Sequence, residues 1–230
     1  MVERVSRPGD ARRSLATHPG RRARARLAAV ACLAALACSS TAPPPAPVAL
    51  PGSVRGRMLA RPEAREAMLV FLEALEAPPG GGPAAAPALL RSTDRGLEPP
   101  VLAARSGQPL RFENAARIYH QLFSYSESNP FDLGVLRRGE QRSLQLRGPG
   151  VVRIYCKLHP AESALLFVAP SEHFTVAEAG RAWAIVGVPP GRYRVAAWGE
   201  TSAGQSRDVT IAPGATVRTE IAARPRAAMP

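Results

Sequence analysis

Long apolar runs are scarce in these 230 residues. The longest, Leu27 to Ala37, has eleven. A helix needs ~20 to cross a bilayer core, so a permanent transmembrane helix is not expected. Lysine is nearly missing as well. Of the 30 basic residues only Lys157 is lysine, so a coding bias toward Arg accounts for part of the net charge of +12. Eight of the arginines (Arg4, Arg7, Arg12, Arg13, Arg21, Arg22, Arg24 and Arg26) stand before residue 38, against Glu3 and Asp10. The remainder carries only +6, which argues against a nucleic-acid partner. Long helical patterns are few, and 24 Pro with 19 Gly favour short strands joined by turns. Three Cys are too few for a disulfide framework, but the chain is long enough to bury a core without one.

The scarce features that do occur are concentrated. Arg21-Arg22-Ala23-Arg24-Ala25-Arg26, the apolar run and a Pro-rich stretch after Cys38-Ser39-Ser40 have the layout of a signal peptide over residues 1–38. Ala35-Leu36-Ala37-Cys38 resembles the bacterial lipoprotein box, in which the Cys is lipidated and becomes the new amino terminus. Ala35 stands where Leu is usual, and Cys32 is a competing position. The expectation is a periplasmic protein, lipid-anchored through Cys38 to the bacterial (outer) membrane, with an ordinary cleaved signal or a weak hydrophobic anchor as alternatives. Residues 39–52 would be the tether. Processing at Cys38 leaves Cys156 as the sole thiol. An unpaired thiol in an oxidising compartment is either inert packing or a ligand.

Between residues 88 and 170, strand-length runs alternate apolar and polar residues: Val101 to Arg105, Pro109 to Glu113, Ser143 to Arg147, Val151 to Cys156 and Ser163 to Val168. Glycines 107, 134, 139, 148 and 150 fall between them. The pattern is that of an all-β Greek-key sandwich. His120 follows one strand, Cys156 ends another, and His159 opens the next loop, so the short Cys156–His159 gap lets both side chains point inward from one hairpin loop. A His from a distant loop then completes a set. Two imidazoles and a thiolate suit copper, whose blue-copper sites add a weak axial donor to that trio. Zinc normally wants a fourth strong ligand, and c-type haem attachment needs a second Cys. A Cys–His nucleophile would need an orienting Asn or Asp, which is not evident, so no enzyme activity is expected.

The same stretch, 88–170, resembles the plastocyanin-like cupredoxins of bacterial periplasms, including those of methylamine-utilisation type. The resemblance rests on Phe112-Glu113-Asn114, on His120 through Phe123-Ser124, on Pro130-Phe131-Asp132-Leu133-Gly134, on Pro149-Gly150-Val151-Val152 and on Cys156-Lys157-Leu158-His159-Pro160. It implies a copper site made by His120, Cys156 and His159. Two positions depart from the family. Glu162 stands where Met is common, three residues after the second His, and Gln121 stands where Asn usually follows the first. Glu162 can be an axial carboxylate, a solvent-facing loop residue or the mark of a degenerate site.

The carboxy-terminal part reads as strands Trp183 to Val188, Arg192 to Trp198, Ser206 to Ile211 and Thr216 to Ala222, with a turn at Pro189-Pro190-Gly191. It resembles the carboxypeptidase-regulatory-like, transthyretin-like sandwich. The opening strands of that fold occur far upstream, as Val54-Arg55-Gly56-Arg57-Met58 and Met68 to Glu73. The expectation is therefore one discontinuous sandwich from 53–76 and 174–222, a cupredoxin-like domain at 88–170 inserted into it, a crossing linker at Pro78 to Pro87, and a tail at 223–230. A helix over Pro62 to Leu75 stays open on composition. His173 and the expected loop tip Glu200 to Gly204 suggest no second site. Trp183, Tyr193 and Trp198 are expected in cores.

The function expected is single-electron transfer by a periplasmic copper protein, with a redox protein as its partner. Copper storage or delivery, and a metal-free scaffold lipoprotein with a degenerate site, are the alternatives.

Overall fold

The computed structural model describes residues 49–59, 66–76 and 85–225. Cys38, the rest of the signal segment, residues 39–48 of the tether and most of the linker lie outside the described residues, as do residues 226–230.

The first two strands, β1 (Gly52–Leu59) and β2 (Ala67–Ala74), are followed by β3 (Ala88–Thr93), β4 (Gly96–Glu98), β5 (Val101–Arg105), β6 (Pro109–Asn114), β7 (His120–Ser124), β8 (Phe131–Leu136), β9 (Gln141–Gln145), β10 (Gly150–Cys156) and β11 (Ser163–Ala169). The chain closes with β12 (Phe174–Glu178), β13 (Ala182–Val188), β14 (Gly191–Gly199), β15 (Ser202–Gly204), β16 (Arg207–Ile211) and β17 (Thr216–Pro225). The described residues are all-β, arranged as two sandwiches, as expected of the fold class.

The first sandwich packs the sheet β5-β11-β10-β7-β8 on the sheet β4-β3-β6-β9. Two parallel pairings, β3 with β6 and β5 with β11, break the otherwise antiparallel order. Leu90, Leu110, Phe112, Leu122, Val152, Ile154 and Leu166 fill the space between the sheets. The alternation of β6 and β10 puts every second residue into this core, which is why both were legible as strands. The strand expected at Ser143 to Arg147 is displaced to Gln141–Gln145. Its ladder runs from Glu113↔Gln141 to Pro109↔Gln145; beyond it Gln108 N–H turns to the Arg105 carbonyl and Gly107 N–H donates to the Leu146 carbonyl instead.

In the second sandwich β1 lies parallel to β17 and antiparallel to β13, while β2 lies between β12 and β14. Val54, Met58, Met68, Val70, Leu72, Trp183, Ile185, Val195 and Ile221 form its core. Gly56 is where the Trp183 ring crosses β1. A Cβ there would stand 1.9 Å from the Thr219 carbonyl and 2.6 Å from the indole, so only glycine fits. The segment weighed as a helix at 62–75 is strand from Ala67 onward. Glu200 to Gly204 is no free tip: β15 pairs with β14 and β17, and Glu200 ion-pairs with Arg153 of β10. β17 extends through Pro225, where a tail was expected.

The two sandwiches share a third apolar cluster. Leu69 and Phe71 of β2 meet Leu165, Phe167 and Ala169 of β11, with Trp198 against Phe71 at 4.4 Å between ring centroids. β2 and β11 therefore bury both faces. Met68, Val70 and Leu72 face one core and Leu69 and Phe71 the shared layer, while Leu166 and Val168 face the other core. The shared layer backs the hairpin β10–β11.

Candidate metal centre

His120 opens β7, rather than sitting in a loop after a strand, and it is fully buried. Its register partner on β8 is Leu136. Asn114, at the end of β6, fixes the turn that leads into it: its side-chain amide donates to the Ile118 carbonyl at 2.8 Å and to the Leu136 carbonyl at 2.9 Å, and its Oδ1 accepts from Ala116 N–H at 3.0 Å. One buried side chain thus ties the loop before His120 to the strand beside it.

Cys156 is the last residue of β10, paired in register with Leu122 of β7, and is 2% exposed. The loop after it is closed by hydrogen bonds. Lys157 N–H donates to the Gln121 carbonyl at 2.8 Å, Glu162 N–H to the His159 carbonyl at 2.9 Å, and Cys156 N–H to the Glu162 carbonyl at 3.2 Å. Gln121, the departure beside His120, donates through Nε2 to Asp132 at 2.9 and 3.1 Å. Asp132 also accepts from Gly134 N–H and lies 3.6 Å from Lys157 Nζ. Gln121 thus ties the strand of the first His to β8 and, through Asp132, to the ligand loop.

The side chains of His120, Cys156, His159 and Glu162 converge, with their ligand atoms all within 4.8 Å of one another. Cys156 Sγ stands 3.6 Å from His120 Nδ1 and 3.4 Å from His159 Nδ1. Glu162 Oε2 stands 3.1 Å from His120 Nδ1, and Oε1 stands 3.8 Å from His159 Nδ1. Burial, the larger influence, holds His120 below the ordinary imidazole range; the Glu162 charge opposes this and that of His159 adds to it. His120 is therefore neutral near pH 7, the form that can ligate.

The cluster fits a metal ion by what it leaves unsatisfied. Glu162 Oε2 is buried and its 3.1 Å approach to His120 Nδ1 is not aligned as a hydrogen bond. A buried carboxylate oxygen beside a buried thiol and two imidazoles carries a desolvation cost that a cation offsets.

Some positions lie apart from this cluster. Cys38 is outside the described residues. His173 sits against the Tyr193 ring and beside Glu172, and Trp183 and Trp198 belong to apolar clusters. Sequence reasoning quoted Asn114 and Asp132 as parts of motifs but assigned them no role. Their signal was an Asn or Asp at a strand terminus, where a short polar side chain caps the neighbouring backbone.

No family model matches the chain, and no curated protein matches it. Several solved structures are similar over part of it. A purple cupredoxin from Nitrosopumilus maritimus is 19% identical over 36% of this chain and 99% of its own, with a TM-score of 0.33. The Cu-containing nitrite reductase from Thermus scotoductus SA-01 is 16% identical over 50% of this chain and 28% of its own, with a TM-score of 0.36. A mutant amicyanin in its oxidised state is 15% identical over 36% of this chain and 83% of its own, with a TM-score of 0.34. At these scores the likenesses add no weight to the geometry of the centre.

Proposed function

We propose that this chain is a copper-binding protein of the cupredoxin kind that carries single electrons in the periplasm, held at the membrane by a lipid on Cys38. The observation that supports this most is the buried Cys156 thiol with an imidazole nitrogen on either side, at 3.6 and 3.4 Å, at the rim of an apolar core. Two imidazoles and a thiolate are the donors that accept both valences of copper, and the bound metal would supply a one-electron couple.

The protein's share is to hold those donors still. His120 and Cys156 are fixed by strand register, and the ligand loop by its backbone hydrogen bonds, so the ligands move little between redox states. The core excludes water from the thiolate. His159, whose side chain is 30% exposed, is the ligand that reaches the surface, where an electron can pass to a partner redox protein across a small transient interface. No bond-making chemistry is proposed, because Cys156 is buried.

The test is metal analysis and a visible spectrum of the purified full chain, with and without Cys156→Ser. About one copper per chain is expected, with a thiolate-to-copper absorption that the substitution removes. Copper bound with an unchanged spectrum in Cys156→Ser overturns the assignment.

A second reading, copper storage or delivery, draws on the partial exposure of His159 and Glu162, 30% and 19%. Rapid loss of copper to a competing chelator favours it; retention favours electron transfer.

A further inference from the structure

Glu162 brings an anionic carboxylate against both imidazoles. Its oxygens lie 3.1 Å from one imidazole nitrogen and 3.8 Å from the other, while the sulfur lies 3.6 and 3.4 Å from the same two atoms. Oε2 is the oxygen that faces His120 and Oε1 the one that faces His159, so the carboxylate as a whole spans both imidazoles. Zinc bonds of 2.0–2.3 Å in a tetrahedral centre set donors roughly 3.3–3.8 Å apart; the two sulfur-to-nitrogen distances fall in that range and the two carboxylate contacts lie at or just below its ends. The fourth donor of a blue-copper site is a weak one such as a thioether, whereas a carboxylate oxygen is anionic and a regular zinc ligand.

The backbone of Glu162 is also held in place. Glu162 N–H is fixed to the His159 carbonyl and its own carbonyl to Cys156 N–H, so its backbone is tied to two of the other ligands. Its Oε2 is buried with no hydrogen bond. A solvent-facing loop residue would not be so placed.

We infer that Glu162 is a full fourth ligand, closing a centre of two imidazoles, a thiolate and a carboxylate that holds zinc(II) as well as copper(II). This rests on the reading of His120, Cys156 and His159 as ligands. The objection that zinc lacks a fourth strong donor here is met by Glu162. The two valences of copper separate the roles of the ligands: copper(I) is soft and is satisfied by the thiolate and the imidazoles, whereas a divalent ion gains from the anionic oxygen. Glu162 is then the residue that sets the preference for divalent ions.

The experiment titrates the metal-free full chain with zinc(II), and separately with copper(I) under anaerobic conditions, each against a chromophoric chelator. Wild type takes one zinc. Glu162→Gln weakens zinc by ~tenfold or more, since losing even an outer partner of a ligand costs that much. Copper(I) affinity changes by less than ~threefold, since a soft ion does not depend on the oxygen. Retained copper(I) shows that the variant is folded around the site, and Glu162→Asp recovers part of the zinc affinity. Equal zinc affinity in wild type and Glu162→Gln overturns the inference, as does a wild type that binds copper but no zinc. Either result leaves the three-ligand copper reading standing. Equal loss of both metals in Glu162→Gln also overturns it, Glu162 then being a scaffold residue. A wild type that binds neither metal overturns the inference and the copper reading together.

Discussion

Arg153, three residues before Cys156 on β10, is ion-paired with Glu200 of the flanking sandwich: Nε donates to Oε1 at 2.6 Å and Nη2 contacts Oε2. The pair bridges the two sandwiches at the surface, above the apolar layer of Phe71, Leu165 and Phe167. Both side chains are about one-third exposed, so solvent screens them and the expected contribution is ~0–1 kcal/mol. The layer beneath is another matter. A fully buried Phe cut back to Ala costs ~3–5 kcal/mol. Glu200→Ala should therefore shift the denaturant midpoint slightly and Phe167→Ala strongly, measured by chemical unfolding. The reverse order would mean that the sandwiches are joined by charge.

His173 gives a pH dependence away from the metal centre. Its side chain is 18% exposed, packs edge-on to Tyr193 and lies 3.7 Å from Glu172. Burial pushes its pKa below the ordinary range, more than Glu172 raises it. A depressed imidazole binds fewer protons folded than unfolded, so stability rises with pH through that interval. Its contribution is present above the unfolded value of ~6.5 and is lost as pH falls through the folded value. Melting temperatures measured from neutral pH down toward pH ~5 should decline more steeply for wild type than for His173→Gln. Parallel declines would assign the acid sensitivity to other groups.

The anchor is tested by fractionation. One Cys bearing multiple acyl chains holds a protein stably at a membrane, and among the described residues no helix is long and apolar enough to cross one. Cys38→Ala is expected to move the protein from the membrane to the soluble fraction. A variant that stays with the membrane as fully as wild type places the anchor elsewhere.

Strands with one wet face were the easiest to see in the sequence. β6 and β10 alternate cleanly because one side of each is dry and the other reaches solvent. The spacing of Cys156 and His159 at the end of such a strand made the ligand loop legible, and His120 was the remaining imidazole in that stretch. β2 was ambiguous for a physical reason. Met68 to Leu72 is apolar without a break because odd and even residues face different dry layers, so the period-2 signal vanishes and helix-favouring residue types remain. Glu200 was misread for a related reason: its partner, Arg153, is 47 residues away, and no local pattern announces such a pairing. The role of Glu162 was open because its sequence neighbours do not tell whether a loop carboxylate turns in or out. In the structure the turn from His159 to Glu162, closed by a backbone hydrogen bond, brings the carboxylate beside both imidazoles.

The doubly covered strand β11 has a consequence for anyone who would isolate residues 88–170. Residues 88–170 read as a portable module, yet Leu165, Phe167 and Ala169 are its outer wall only because β2 leans against them. Cut free, the module would present a greasy flank directly behind its ligand hairpin, the kind of surface that drives self-association. The site and the sandwich that surrounds it in sequence are therefore physically a pair: neither can be transplanted without redrawing the shared wall in polar residues.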